Sequence, residues 1–262
     1  MDLMLADKVA LVTAASRGLG KAAALELSRE GVRIAMASRS ESIFEAAMHI
    51  QDETGNPVFA MQADLTKPGD IDSLVARTQS SYGKLDILVI NAGGPPPGGF
   101  LDLTPEAWEQ AIQLTIMSAV RLCYSAIPIM LEQGSGSIVA TQSFSVRQPV
   151  ENLILSNALR LAVIGLMKTL ADEFGPQGIR VNSINPGWTK TGRVTQLLAN
   201  RAEAHSSTPE EEEAAITDAI PLQRMASVEE YGRAIAWLAS PAASYIHGHA
   251  LMVDGGLTRA TL

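Results

Sequence analysis

The feature that most narrows the fold of this chain is an alternation. Short, unbroken apolar runs recur between longer stretches of helical period. The runs predict strands at 8–14, 32–38, 57–64, 86–92, 136–142, 179–186 and 250–255, and the intervening stretches predict helices at 19–30, 40–54, 69–81, 105–132, 153–174 and 227–239. Strands that are apolar on both faces need cover on both sides, which a parallel sheet with crossover helices provides. The expected fold class is therefore α/β, a single domain over 1–262 with a doubly wound parallel sheet of about seven strands and helices on both faces. No repeat or low-complexity linker divides it. One segment, 192–220, lies outside the rhythm and reads as an insertion over the C-terminal edge of the sheet, a lid for a substrate. Within it Thr208, Pro209 and Glu211 match an N-cap, a first-turn proline and a capping-box acid, so a short helix should start there. The run 210-EEEE-213 then reads as a solvated helix start favoured by the helix dipole.

Charge excludes one class of partner. With 20 Lys+Arg against 28 Asp+Glu, the net charge of −8 opposes binding to a nucleic-acid backbone. The one cysteine, Cys123, cannot form an internal disulfide and falls in an apolar helical pattern, where an inert buried thiol is expected. The first residues carry no basic segment followed by an apolar core, and no window approaches 18 uninterrupted apolar residues. The expectation is a cytoplasmic protein with no membrane partner.

The first strand runs into 13-TAASRGLG-20, where Gly18 and Gly20 allow backbone to approach a diphosphate at a helix N-terminus. At the end of the second strand, 37-ASRS-40 has Ser38 and Arg39 where an acid would bind a ribose 2′-hydroxyl. A guanidinium there suits a 2′-phosphate, and Arg17 in the first turn adds a second cation. The pattern favours NADP(H) over NAD(H).

Here the chain resembles the short-chain dehydrogenase/reductase family, over nearly its whole length. The family's Thr-Gly-x-x-x-Gly-x-Gly turn stands as Thr13-Ala14-x-x-x-Gly18-x-Gly20, so alanine replaces the first glycine. Asp64 matches the acid near the adenine, Asn91-Ala92-Gly93 matches the motif after the fourth strand, and 186-PGWTKT-191 matches the Pro-Gly turn with its nicotinamide-holding threonine, Thr191. The C-terminal 253-VDGG-256 also fits. The resemblance implies a Rossmann-type fold and cofactor contacts from Thr13, Ser16, Arg17, Gly18, Leu19, Gly20, Ser38, Arg39, Asp64, Leu65, Asn91, Ala92, Gly93, Arg160, Pro186, Gly187, Thr189 and Thr191.

The family's catalytic positions are a serine, a tyrosine, a lysine and an asparagine. Ser143 occupies the serine position, thirteen residues later stands Ser156 in place of tyrosine, and four further on stands Arg160 in place of lysine. Thr115 replaces the asparagine. A serine hydroxyl is a far weaker acid than a phenol of pKa about 10, and an arginine stays protonated and relays no proton. Spacing of four still puts Ser156 and Arg160 on one helix face, as donors to an oxyanion. Glu151, in the preceding loop, is another conceivable proton source but reads more simply as an exposed residue, and the loop 93–100 reads either as a rigid pocket edge or as a surface turn. The histidines lack metal-ligand company, so no metal is expected.

Three activities follow from the resemblance. The first is an NADP(H)-dependent reductase of the 3-oxoacyl-acyl-carrier-protein type, acting on a small-molecule or acyl-thioester carbonyl with an altered proton donor. The others are an impaired dinucleotide-binding protein and a non-redox lyase or hydratase on the same scaffold. The resemblance also implies a homo-oligomer, tetramer or dimer, assembled through the helices at 105–132 and 153–174.

Overall fold

The computed structural model describes residues 1–260. Seven strands, β1 (Val9–Thr13), β2 (Arg33–Ser38), β3 (Val58–Gln62), β4 (Ile87–Ile90), β5 (Gly136–Thr141), β6 (Ile179–Pro186) and β7 (Ala250–Val253), form one sheet in the order β3-β2-β1-β4-β5-β6-β7. Every pairing is parallel. The order reverses between β1 and β4, and in open sheets of this kind ligands bind in the crevice beyond the strand ends at such a reversal.

Because side chains alternate along a strand, each β1 residue feeds one of two cores. Leu11 joins a core with Ile71, Leu122 and Val163, from helices α3 (Pro68–Tyr82), α5 (Ser118–Gln133, reached through α4, Pro105–Ile112) and α6 (Ile154–Phe174). Ala10 and Val12 join the other, with Leu27 from α1 (Gly18–Arg29), Ile50 from α2 (Ser42–Thr54) and Ile235 from α9 (Val228–Ala239). Each side of the sheet thus has its own layer of helices. The doubly wound α/β fold expected from the apolar runs is the observed one.

Two departures matter for the site. The stretch expected as one helix over 105–132 is broken by a π-helical segment, Gln113–Met117, and Thr115 sits in it. Such extra-residue turns inside helices cluster at functional sites. The insertion holds two helices where one was expected: α7 (Gly192–His205), N-capped by Thr191, precedes α8 (Pro209–Ala219). The α8 start carries the capping box of Thr208 and Glu211 read from the sequence. Small and polar residues dilute the apolar period of α7, which buries only Leu198 and Ala202, so periodicity alone did not reveal it. The Glu212 carboxylate ties the two helices, accepting from Arg201 Nε at 2.9 Å and Ser207 Oγ at 2.7 Å and lying 2.8 Å from His205 Nδ1. Those partners, Arg201 first, pull Glu212 down to a pKa of about 2.

The segments Pro105–Gln133 and Ile154–Gln177 are long and apolar enough to cross a membrane. One face of each packs in the core beside the sheet, through Leu122, Met130, Val163 and Met167, while Tyr124 and Leu161 are exposed. Cys123 lies in the same layer, and burial pushes its thiol up to about 12. His247, which gave no signal in the sequence, braces β6 to α6: its Nδ1 accepts from Val181 N and its Nε2 lies 2.8 Å from the Ala171 carbonyl oxygen.

The close approach of α9 to α1 depends on Gly232. A Cβ there would lie 2.6 Å from the Ala22 carbonyl oxygen and 2.7 Å from Glu26 Cγ. Gly232→Ala should therefore push α9 off α1 and cost about 1–3 kcal/mol, the range for overpacking, read by urea unfolding.

Candidate active site

The first turn is built around Thr13. Its hydroxyl donates to the Asn91 carbonyl at 2.7 Å and accepts from the Asn91 N–H at 2.9 Å, clasping the ends of β1 and β4. Asn91 Nδ2 donates to the Ala14 carbonyl at 3.2 Å. Gly20 fills the remaining space: a Cβ there would lie 2.4 Å from that carbonyl oxygen and 2.7 Å from the Asn91 amide nitrogen. Gly18 takes the left-handed φ of +57° that its motif position demands, and a Cβ on it would meet Thr191 at 3.6 Å. The turn and the start of α7 therefore face each other across the sheet edge.

No side chain caps α1 and no acid stands in its first turn. Its N-terminal N–H groups remain available to an anion, which fits the diphosphate of a dinucleotide. Ser16 and Leu19 are half-buried beside Gly18, while Arg17 and Arg39 are exposed. Among the described residues neither arginine has a carboxylate within 4 Å. Ser38 is buried and donates to the Ser40 carbonyl at 2.9 Å. Asp64 accepts from the N–H and the hydroxyl of Thr66, and these bonds outweigh burial to hold its carboxyl below the usual range. Leu65 is buried, Ala92 half-buried and Gly93 exposed, with nothing within 4 Å of a Cβ placed on Gly93. Pro186 ends β6, Gly187 packs on Asp254, and Thr189 is buried with its hydroxyl turned back to the Gly187 carbonyl. Thr13, Thr189 and Thr191 thus spend hydroxyls inside the fold, shaping the crevice.

Two of the proposed reactive groups, Ser156 and Arg160, meet at the end of β5. Arg160 crosses the strand end and donates through Nη1 to the carbonyls of Thr141 (3.4 Å) and Gln142 (3.3 Å). Its Nε donates to Ser156 Oγ at 3.1 Å. That bond uses a Ser156 lone pair and leaves the serine proton free to donate, with a cation beside it that favours the oxyanion form. Arg160 is 9% exposed, and burial pulls its guanidinium down to about 10, still charged at neutral pH. Ser143 lies next in sequence, half-buried, its Oγ accepting from the Ser145 N–H. Thr115 Oγ1 and Gln142 Oε1 are buried without partners. Glu151 is exposed, at the rim of a small open depression between the loop around 150–153 and α7. The Phe144 ring packs on Trp188, one of the residues lining it, 5.8 Å between centroids.

Two neighbours went unread in the sequence. Tyr231, from α9 on the opposite face, is fully buried with no hydrogen-bond partner of ordinary geometry; burial raises its phenol above the usual value, opposed by nearby Thr141 and Arg160. Arg193, in the first turn of α7, donates to the Pro95 carbonyl at 2.8 Å and spans the gap to the loop after β4. A lone arginine inside an insertion carries no spacing signal, and only the placement of α7 brings it here.

Comparison with known proteins agrees with this geometry. A family model described as Enoyl-(Acyl carrier protein) reductase matches residues 13–258. Human "Dehydrogenase/reductase SDR family member 4" is 31% identical over 253 residues, covering 96% of this chain and 88% of that protein. This chain belongs to the short-chain dehydrogenase/reductase family. "Oxidoreductase UcpA" of Salmonella typhimurium, 34% identical over 261 residues, covers 97% of this chain and is itself 95% covered. Among solved structures, L-sorbose reductase from Gluconobacter frateurii complexed with NADPH and L-sorbose superposes with a TM-score of 0.94 at 32% identity, covering 99% of this chain and 100% of that one. A variant of actinorhodin polyketide ketoreductase with NADPH gives 0.93 at 30% identity, covering 97% and 98%. The family and these reductase neighbours support an oxidoreductase with a nicotinamide dinucleotide cofactor.

The family's first-turn glycine is Ala14 here, and Ala14 holds a φ of +48°, where a Cβ crowds the following carbonyl. Ala14→Gly should relieve that strain and raise stability by about 1 kcal/mol in denaturant unfolding, with the Thr13–Asn91 clasp intact.

Proposed function

We propose that this protein is an NADP(H)-dependent reductase that converts a carbonyl to an alcohol, with Ser143, Ser156 and Arg160 replacing the usual tyrosine-centred proton delivery. The observation that carries the reading is the pairing of two features on one sheet edge: a helix N-terminus free of side-chain caps and first-turn acids, and a serine hydroxyl hydrogen-bonded to a buried guanidinium. Bound NADPH would supply a hydride to the substrate carbonyl carbon. Arg17 and Arg39, with no carboxylate within 4 Å of either among the described residues, are the groups suited to its 2′-phosphate. The α1 N-terminus suits the diphosphate, and Asp64 the adenine end. Asn91, Ala92, Gly93, Pro186, Gly187, Thr189 and Thr191 shape the crevice for the rest.

At the reactive end, Ser143 and Ser156 would donate to the carbonyl oxygen and stabilise the charge it gains. Arg160 supports Ser156 electrostatically without passing a proton. A serine side chain falls short of a tyrosine, so water between Ser156 and the oxygen would complete protonation. Thr115, buried in the π-helical turn with an unpartnered hydroxyl, stands where a relay would end. A cytoplasmic homo-oligomer fits the single buried thiol and the exposed Tyr124 on α5 and Leu161 on α6.

A second reading, a dinucleotide-binding protein without turnover, draws on the loss of the tyrosine at 156. Two measurements separate the readings. NADPH should bind at least about tenfold tighter than NADH by fluorescence titration, and Arg39→Asp should abolish the difference. The native protein should oxidise NADPH with a ketone from a broad panel. If only the Ser156→Tyr, Arg160→Lys double variant turns over, the second reading stands.

A further inference from the structure

The start of α7 reaches both loops that border the crevice. On one side is the turn after β1, where a Cβ placed on Gly18 would lie 3.6 Å from Thr191, the residue that caps α7. On the other is the loop after β4. There Arg193, two residues further on, donates through Nη2 to the Pro95 carbonyl at 2.8 Å. The two loops flank the reversal of strand order between β1 and β4, the place where such a sheet takes a dinucleotide. Thr191 to Arg193 thus bridge the mouth of the crevice.

The Arg193 contact is built into the loop. A Cβ on Gly94 would lie 3.2 Å from Arg193 Nε and 3.5 Å from Nη2, so any side chain at 94 would crowd the guanidinium. Pro95, Pro96 and Pro97 fix φ at three successive residues and hold the accepting carbonyl still. The far end of the loop is tied down too: the Gly98 N–H donates to the Asn152 carbonyl at 2.6 Å, and the Gly98 carbonyl accepts from the Ile154 N–H at 3.4 Å. Among the described residues, the Arg193–Pro95 bond is the only hydrogen bond between α7 and the loop 93–100. Its charged donor makes it stronger than a neutral pair, yet Arg193 is exposed and water can take its place.

The segment that Arg193 fastens is a separate body hung between two fixed points. Before it, the Lys190 N–H donates to the Ala226 carbonyl at 2.9 Å; after it, the Leu222 N–H donates to the Gly255 carbonyl at 3.3 Å. Between those points α7 and α8 share a small core of their own, with Leu198 against Ile216, and are joined by the Glu212 cluster. Gly192, at the first position of α7, is exposed, and a Cβ there would meet nothing within 4 Å. Further along, an open depression separates the Leu197 and Ala204 side of α7 from the loop around 150–153. A joined pair of helices with a free first turn, a gap beside it and one polar tie to the opposite loop can swing as a unit.

We propose that the start of α7 is a strap that opens and closes the cofactor crevice, with Arg193 as its latch and the Gly94–Pro95 backbone as the catch. This rests on the dinucleotide part of the reductase reading and not on turnover. A latch that holds the strap alike in the free and the loaded protein slows entry and exit by the same factor and leaves affinity unchanged. A residue that binds the cofactor itself changes affinity instead.

The test is stopped-flow binding of NADPH, read by its fluorescence, to the native protein, Arg193→Gln and Gly94→Val. Gly94 has no positive φ, so the valine acts by displacing the guanidinium and leaves its charge in place. In both variants the association and dissociation rates should rise together by about fivefold or more, with Kd changing by less than about twofold. Amide exchange of α7, followed by mass spectrometry without cofactor, should quicken in both variants while that of α5 stays the same. Native rates, or native exchange of α7, in Arg193→Gln overturn the proposal. So does faster dissociation with an equal loss of affinity, which would make Arg193 a cofactor ligand. No NADPH binding to the native protein rejects the strap and the cofactor reading together. The expected rate changes without reduction of any ketone keep the strap and reject the reductase.

Discussion

The clasp between Thr13 and Asn91 is the interaction on which the site depends. A single fully buried hydroxyl gives and receives a hydrogen bond with the backbone of the same residue on the adjacent strand. It lies where the strand order reverses, between β1 and β4. If those two strand ends separated there, the buried groups on both sides would lose partners without gaining water, which is why such a bond is costly to open. Everything that shapes the cofactor crevice hangs from it: the Ala14 carbonyl held by the Asn91 amide, Gly20 pressed beneath both, and Gly18 turned toward Thr191.

At the other end of the crevice the organising constraint is charge. The fold brings Arg160 across the end of β5 and Arg193 down from α7, and it supplies carbonyl oxygens where carboxylates would ordinarily sit. Carbonyls satisfy N–H groups but cancel no charge. The cationic state of Arg160 is therefore maintained at the expense of solvation, and the adjacent Ser156 hydroxyl acts in a strongly positive field.

The two helices over the crevice add a third element. Glu212 gathers Arg201, Ser207 and His205 into one cluster, so α7 and α8 are joined as a unit. Since α7 carries both Arg193 and one side of the depression beside the loop around 150–153, this joint sets where the cation points.

By itself the sequence determined the α/β class, the seven strands and the glycine turn, because unbroken apolar runs, helical periods and small residues at fixed spacing are local properties. It also revealed the α8 capping box, and by its spacing from Ser143 it put Ser156 and Arg160 where the resemblance implies a tyrosine and a lysine. It did not reveal the π-helical turn at Thr115, the helix α7 whose apolar period is diluted, or the buried Tyr231. Nor did it reveal that Arg160 would be buried against Ser156 and the carbonyls of Thr141 and Gln142, with no carboxylate within 4 Å among the described residues. Those facts arise from contacts between distant segments, where burial and electrostatic field depend on which elements meet. Only the tertiary structure decided them.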